Sequence, residues 1–401
     1  MPISFIKGIT YMHHLLSLSL IIITLLLFAC AHIPAPENPN IGKPLKIVEI
    51  NQLLKSKIKG VNLIETNLAG LELTGMNLKN AQLTSSFLYR VNFTDSTLEG
   101  ADLRGADLRY VKLHNVNLRN ANLSGADLRN ASIDNADLSD ANLSNANLQG
   151  AVINRSVFKT ANLSDVSLKF ASINESLFES SHLQNSDFTG ATVNGADFKY
   201  AAIHNATLVK IQFLNSKFQA TNLSSSHLSR SDFANCSFND ADLSFTLAND
   251  VNFTGSDLQG AIFKQSDLSG ATFNNANMSD TDLTDGSFKD ANMISTNLSG
   301  SILKNTDLSN SNLDGASFLR ASLTEVNFEN AQLSNVNFFK ASVIASNLTK
   351  SDLSRANFQE ADVSQSIFTQ ANIQETNFVL VENFDKAIGM KNTKNTDDAK
   401  F

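Results

Sequence analysis

The chain of 401 residues has no tryptophan, four tyrosines, two cysteines and five prolines, and only 17% of its residues are charged. Cys30 and Cys236 are too few for a disulfide framework or a cysteine-only zinc site. There are 31 lysines and arginines against 39 aspartates and glutamates, so the net charge is −8. Nucleic-acid binding needs clustered basic residues, which this balance does not indicate. Hydrophobic residues make up 42% of the chain, which is enough for a large core and argues against wholesale disorder.

The first thirty residues have the pattern of a secretory leader. Lys7 is a short basic region, and an apolar run extends from Leu15 to Phe28. This run is shorter than the ~20 residues of a membrane-spanning helix but fits the apolar region of a signal peptide. A small residue before Cys30 resembles the lipobox of bacterial lipoproteins, although Phe28 differs from the residue usual at its position. The alternatives are cleavage at another site and an uncleaved anchor.

The resemblance to lipoproteins implies that Cys30 is acylated and becomes the first residue of the mature protein. Ala31, rather than aspartate, follows it, which by the same resemblance favours the outer membrane of the bacterial cell envelope. Four of the five prolines lie between residues 34 and 44, and none follows. Because proline-rich segments are extended and semi-rigid, residues 30–46 are interpreted as a spacer after a signal peptide at 1–29.

A single five-residue period fills most of the remaining chain. A bulky apolar residue, here called the centre, occupies 64 of the 65 positions at this spacing from Ile58 to Phe378. The residue two positions before the centre is usually small or β-branched, as in residues 136–145, Ala-Asp-Leu-Ser-Asp-Ala-Asn-Leu-Ser-Asn. The exception is Ala248. There we expect a thinly packed coil, with Leu247 or Phe245 displaced to compensate, or a local bulge.

Neither a helix nor a continuous strand explains a period of five. On an α-helix, successive centres would lie about 140° apart, and on a strand an odd spacing would turn alternate centres to opposite faces. A short extended piece followed by a turn places the centre and the residue two before it inward, and the other three outward. Four such pieces make a square coil of about 20 residues.

The phenylalanines test this coil length, because centres four units apart along the chain would stack on the same side. Of the 19 phenylalanine centres, nine share one side: Phe158, Phe178, Phe198, Phe218, Phe238, Phe318, Phe338, Phe358 and Phe378. An even spread would put about five on each side, so the skew supports four sides per coil.

The 65 units in phase resemble the pentapeptide-repeat family over about four fifths of the chain. The resemblance implies an all-β fold, a right-handed quadrilateral parallel β-helix of about 16 coils. At ~4.8 Å per stacked strand, the rod would be about 78 Å long. Such solenoids need caps at both ends.

Short helical caps are expected beside the repeats of residues 58–378. Apolar residues in residues 47–57 follow helical spacing and predict an N-terminal cap. In residues 379–401, Phe384, Ala387 and Ile388 share one helical face, with Asn383 as N-cap and Gly389 as stop. The residues after Met390 are interpreted as a loose polar tail.

Motifs for catalysis are absent from the sequence. No Gly-x-Ser-x-Gly, His-Glu-x-x-His or Cys-x-x-Cys occurs. Gly70 and Gly75 have phosphate-loop spacing, but Met76 stands where that loop needs lysine, so we interpret both as turn glycines. Cys236 falls in the small inward position, as a core residue. No catalytic, cofactor-binding or metal site is expected.

The remaining polar residues are interpreted as surface. The four histidines of the repeats are expected to face outward at different sides and heights of the coil and not to converge on a metal site: His114, His182, His204 and His227. The carboxylates near arginines form an exposed mixed-charge face: Asp102, Asp107, Asp127 and Asp137, with Arg104, Arg109, Arg119 and Arg129.

The sequence thus predicts a non-catalytic, envelope-anchored rod, held to the membrane by acylated Cys30, whose sides bind an unidentified protein and no nucleic acid. The first alternative is a DNA-mimicking, gyrase-binding protein of the quinolone-resistance type, which the family includes. Loss of Lys7 with the leader would leave a net charge of −9, whereas DNA carries about one charge per 1.7 Å. The second alternative is a carbohydrate-binding or carbohydrate-active β-helix. Oligomeric state cannot be read from the sequence.

Overall fold

Each five-residue unit forms one side of a coil, and the chain returns to the same side after four units. The structure, a computed structural model, describes residues 45–55, 60–396 and 398–401. Asn62 pairs in parallel with Gln82, and this ladder continues from coil to coil as far as Glu382. Equivalent ladders start at Asn67, Glu72 and Asn77. The expected quadrilateral parallel β-helix is therefore confirmed.

Regular elements in the described residues are short, because each side turns after three extended residues. They are α1 (Ile47–Lys55), β1 (Lys112–His114), β2 (Ser132–Asp134), β3 (Val152–Asn154), β4 (Ser172–Asn174), β5 (Thr192–Asn194), β6 (Gln212–Leu214), β7 (Ile302–Lys304), β8 (Ser322–Thr324) and β9 (Ser342–Ile344), followed by two 3₁₀ helices, Phe384–Lys386 and Met390–Asn392. Strands β1 to β6 form one parallel sheet and β7 to β9 another. The remaining units pair through isolated bridges in the same register.

The core is a column of centres along the inside of the coils. Phe158, Phe178, Phe198, Phe218 and Phe238 stack ring on ring, with centroids 4.6–5.1 Å apart. A second column contacts the first edge-to-face: Phe213, Phe233, Phe253 and Phe273. Offset or edge-on ring pairs add stabilisation beyond buried area. The prediction that phenylalanines stack on one side is confirmed.

Most serine and threonine hydroxyls in the small inward position have a hydrogen-bond partner. The hydroxyl of Ser86 donates to the carbonyl of Leu63, at 2.6 Å, and that of Thr221 donates to the carbonyl of Phe198, at 2.8 Å. The acceptor in each case is the centre of the previous coil. Because a buried hydroxyl without a partner is costly, this bond explains why a polar residue is tolerated inside the rod.

The corner of each unit has a left-handed backbone. Every fifth residue from Gly60 to Leu380 has a positive φ, and 14 of these 65 residues are glycine. Among the others are 15 asparagines and eight aspartates, the non-glycine residues that tolerate this conformation best. The five-residue period predicts an outward turn here but not its left-handed backbone.

Ala248 is accommodated without a bulge. It is fully buried, and the ladder passes through it in register, from His227 to Leu247 and from Leu247 to Asp267. Leu247 and Phe245 remain outside, 52% and 55% exposed. The expectation that one of them would move inward to compensate is wrong, because the corner backbone of Phe245 (φ 61°) keeps both in outward positions.

The two ends of the coil differ from the repeats. At the N-terminal end, Ile50 of α1 is buried in the core. At the C-terminal end the paired residues move further apart along the chain at each successive side, as Asp362 pairs with Glu382, Ile367 with Ile388, Asn372 with Lys394 and Asn377 with Lys400. The expected loose tail is wrong, because these residues add a last, longer coil.

The caps at this end are two 3₁₀ helices. Asn383, at the N-cap position of the first, makes no capping bond; its amide donates to Asp362 at 3.0 Å. Gly389, with φ 79°, is the N-cap of the second 3₁₀ helix, and the first 3₁₀ helix ends before it, at Ala387. The prediction that Gly389 stops a helix is therefore wrong. Phe401 stacks on Phe378, with centroids 5.6 Å apart, so the last coil covers the phenylalanine column.

We expect Phe198→Asp to cost several kcal/mol, because it places an unpaired charge among four phenylalanine rings. The outward control Asn122→Ala loses one local bond and should cost no more than about 1 kcal/mol. Urea unfolding of both variants measures the difference. Equal costs would contradict the inward assignment.

Asn130→Val should destabilise the fold by about 1–3 kcal/mol, because a β-branched side chain is strained at φ 57°. Asn130→Gly at the same corner should be close to neutral. Thermal unfolding compares the two, and a valine variant as stable as the glycine variant would contradict the role assigned to the corner.

Candidate interaction surface

In many units, the side chain of the residue before the centre accepts a hydrogen bond from the backbone N–H two residues on. The amide oxygen of Asn122 accepts the N–H of Ser124, at 3.1 Å, as asparagine and aspartate do in such turns. Asparagines also bond from coil to coil: Asn297 donates to Asn277 at 3.0 Å, and Asn277 donates to Asp257 at 2.9 Å. These side chains are therefore fixed in position and engaged with one another.

The arginine–aspartate face predicted from the sequence consists of ion pairs within a turn and between neighbouring coils, as Arg119 pairs with Asp137 at 3.3 Å. Arg104 donates two bonds to Asp102, at 2.8 and 2.6 Å, and Arg109 pairs with Asp107 in the same way. The bonds from Arg104 hold the pKa of Asp102 below its usual value. An acid–base catalyst at neutral pH needs a raised carboxyl pKa. These carboxylates are suited to the surface role expected of them.

Two of the four predicted outward histidines share one side of the coil. His182 pairs in its ladder with Ala202, so His182 and His204 lie on the same side in neighbouring coils, and the expectation of different sides is wrong for these two. Nε2 of His114 lies 3.0 Å from the hydroxyl of Ser132, and Nε2 of His227 lies 3.0 Å from that of Ser229. In the part of the chain that the structure describes, no three histidine, cysteine, aspartate or glutamate side chains could hold a metal ion.

Of the two cysteines, the structure describes Cys236 but not Cys30. Cys236 is buried, and its thiol donates to the carbonyl of Phe213 at 3.4 Å. Burial raises the pKa of this thiol to about 12, so the reactive thiolate is not populated at neutral pH. Cys30, the predicted lipidation site, lies outside the described residues, as do the leader and most of the spacer. Among the helices that are described, none has the length and apolar content needed to span a bilayer.

A cavity of about 530 Å³ lies on the last coil, at the C-terminal end of the rod. Its lining includes Phe384, Ala387 and Met390. The charged residues among those that line it are Asp385 and Lys391, so it lacks a pair of carboxylates for acid–base chemistry.

The two glycines with phosphate-loop spacing lie at corners of the coil. Gly70 and Gly75 have φ of 70° and 67°, as expected for turn glycines. The prediction that they serve the turns of two ordinary units is therefore confirmed.

One surface feature was missed because charge was summed over the whole chain. Residues 231–290 contain ten aspartates and two lysines, a net charge of −8. The remaining residues carry 29 acidic and 29 basic side chains, so this acidic belt accounts for the entire net charge. Asp240, Asp250, Asp280, Asp285 and Asp290 are exposed in it. A charge window moved along the sequence would have found the belt.

The repeat units seen in the structure coincide with a known family of repeats. The sequence model described as pentapeptide repeats matches segments that run from residue 56 to residue 381, with gaps at 160, 200–215 and 339–344. No curated protein sequence matches the chain.

Solved structures of similar proteins include HetL from the cyanobacterium Nostoc, a pentapeptide repeat protein involved in heterocyst differentiation regulation. It is 21% identical over 86% of this chain and 99% of its own, with a TM-score of 0.19. QnrB1, a plasmid-mediated fluoroquinolone resistance protein, is 13% identical over 58% of this chain and 91% of its own, with a TM-score of 0.27.

The stability of the coil should fall in acid. Partial burial raises the pKa of Asp352, but bonds from Ser354, Ser334 and Asn372 outweigh it, so the pKa is lowered; that of Asp137 is lowered in the same way by Ser139 and Arg119. A carboxyl whose pKa is lower in the folded state stabilises that state at neutral pH and stops doing so as pH falls below about 4.

We therefore expect the melting temperature to drop when the pH is lowered from about 7 to about 3. Asp137→Asn with Asp352→Asn should show a smaller drop, because an amide keeps an acceptor oxygen but does not titrate. Calorimetry at both pH values measures this, and an unchanged drop in the double variant would contradict it.

Proposed function

Because the chain belongs to the pentapeptide-repeat family, we propose that it is a non-catalytic rod anchored in the bacterial cell envelope through lipid on Cys30, with sides that bind a protein partner. The observation that carries this proposal is the organisation of the outward positions. Their side chains bond to their own turns and to neighbouring coils, over a surface that repeats from coil to coil. Repeat solenoids of this kind work through extended binding surfaces.

The absence of enzymatic activity is part of the proposal. The described carboxyl groups with a shifted pKa all have it lowered: Asp102, Asp137, Asp187, Asp267, Asp282, Asp352 and Asp362. The described cysteine, Cys236, is buried with a raised pKa. These groups suit a structural surface better than a carbohydrate-cleaving site, which needs one carboxyl with a raised pKa.

Charge distribution supports a protein-binding rod over a DNA mimic. A rod of about 78 Å that imitates DNA would need roughly fifty negative charges spread evenly along its length. Here the net −8 falls within residues 231–290, and the rest of the chain is balanced. A DNA-binding protein, which contacts evenly spaced negative charge, would meet a net negative charge only in this segment.

Anchoring is tested by labelling cells with a radioactive fatty acid and separating their membranes. We expect label on the wild-type protein in the outer-membrane fraction and none on Cys30→Ser, because the thiol is the acylation site. Cys236→Ser is the matched control and should keep its label, since serine is common in the small inward position. An unlabelled, soluble wild-type protein would overturn the anchored rod.

A further inference from the structure

Two neighbouring units of the rod carry apolar residues outward beside a small inward centre. In residues 244–248, Ser-Phe-Thr-Leu-Ala, Phe245 is the corner of one unit, and Leu247 and the inward Ala248 belong to the next. The other 64 centres are bulky and apolar. This segment therefore has less buried apolar area inside and more exposed apolar area outside, and both changes are unfavourable for a rod that stands alone in water.

Both outward residues also depart from what the fold favours at their positions. Phe245 occupies a left-handed corner, where asparagine, aspartate and glycine predominate. Leu247 occupies the ladder position where Asn122 and Asp267 accept the N–H two residues on, a bond that leucine cannot make. Departures of this kind occur elsewhere in the rod, as at Phe170 and Leu177, but here the two residues lie around one corner beside the small centre Ala248. Departures from local rules concentrate at functional sites.

The segment that contains this pair is acidic. Leu247 is flanked in its ladder by His227 and Asp267, the N–H of Phe245 donates to the carbonyl of Lys264, and the pair lies within the belt of ten aspartates and two lysines. Only Asp250 and Asp282 of these aspartates form ion pairs, with Arg230 at 3.6 Å and Lys264 at 2.9 Å, among the described residues. Most of the negative charge around the apolar pair is therefore not neutralised by the rod itself.

We infer that Phe245 and Leu247, within the acidic belt, form a docking surface for a basic protein segment that carries apolar side chains. The apolar pair supplies the buried anchor of the contact, and the aspartates around it supply complementary charge. The inference rests on the proposed function, because it names the part of the rod that binds and the chemistry of the partner.

The chain contains a matched control for this pair. Phe170 occupies a left-handed corner and Leu177 a ladder position, as Phe245 and Leu247 do, and they are 62% and 45% exposed. Residues 151–210 around them contain five acidic and five basic side chains, so charge is balanced there. Phe170 and Leu177 lie seven residues apart, with a whole unit between them, so they match Phe245 and Leu247 in position type and exposure but do not share one corner. They test whether exposed apolar residues at these positions bind wherever they occur on the rod.

The experiment measures binding of three synthetic peptides to the full chain by fluorescence anisotropy at about 0.15 M salt. One peptide has leucine and lysine on opposite helical faces, the second has glutamate for lysine, and the third has serine for leucine. We expect the leucine–lysine peptide to bind tightest. Phe245→Asn with Leu247→Asn should weaken it about tenfold or more, and Phe170→Asn with Leu177→Asn should leave it unchanged.

A charge variant tests the belt separately. Asp240→Asn, Asp242→Asn and Asp285→Asn together should weaken the same peptide and reduce the dependence of its affinity on salt. Circular dichroism and melting temperature of every variant establish that the coil is intact, so loss of binding is not loss of fold.

Several results would overturn the inference. These are equal affinity of the wild type and the Phe245/Leu247 variant, an equal loss in the Phe170/Leu177 variant, or equally tight binding of the glutamate peptide. Self-association that the Phe245/Leu247 variant abolishes would assign the pair to a second copy of the chain instead. With the protein labelled on Cys30, any of these would leave the anchored rod standing and remove only the docking surface.

Discussion

The backbone hydrogen bond from one coil to the next is the interaction on which the rest of the structure depends. Leu63 donates to Gln82 and Gln82 donates back to Val61, and this exchange repeats along all four sides. It fixes the step between coils at four units, and at that step each centre stacks on the centre of the same side in the next coil. The phenylalanine stacks, the inward serine bonds and the asparagine ladders all follow from that register.

The same register explains how the rod tolerates its unusual composition. A square coil must turn at each of its four corners, and each turn places a residue in the left-handed region, from Gly60 to Leu380. Proline cannot adopt that conformation and lacks the N–H of the ladder, so the fold excludes it from the corner and ladder positions, and none follows Pro44. The abundance of asparagine and aspartate at the corners answers the same constraint.

Because each coil contacts only its neighbours, stability is a sum of local terms and the ends are its weakest points. The ends are built differently from the repeats for that reason. Helix α1 places Ile50 in the core at one end, and Phe401 covers Phe378 at the other. The outward positions do not close the ends and vary along the rod, and the acidic belt with Phe245 and Leu247 is one such variation.

The sequence by itself determined the coil. A period of five with every centre inward requires a turn in each unit, and the positions of the phenylalanines indicate four units per coil. It also placed Cys236 inside. Only the tertiary structure decided the left-handed corners, the last coil that takes up residues 379–401, and the exposure of Phe245 and Leu247. Those features depend on what lies a full coil or more away in the chain. Ile388, Lys394 and Lys400 join ladders whose partners lie progressively further back in the chain, a lengthening that no local pattern in the tail encodes.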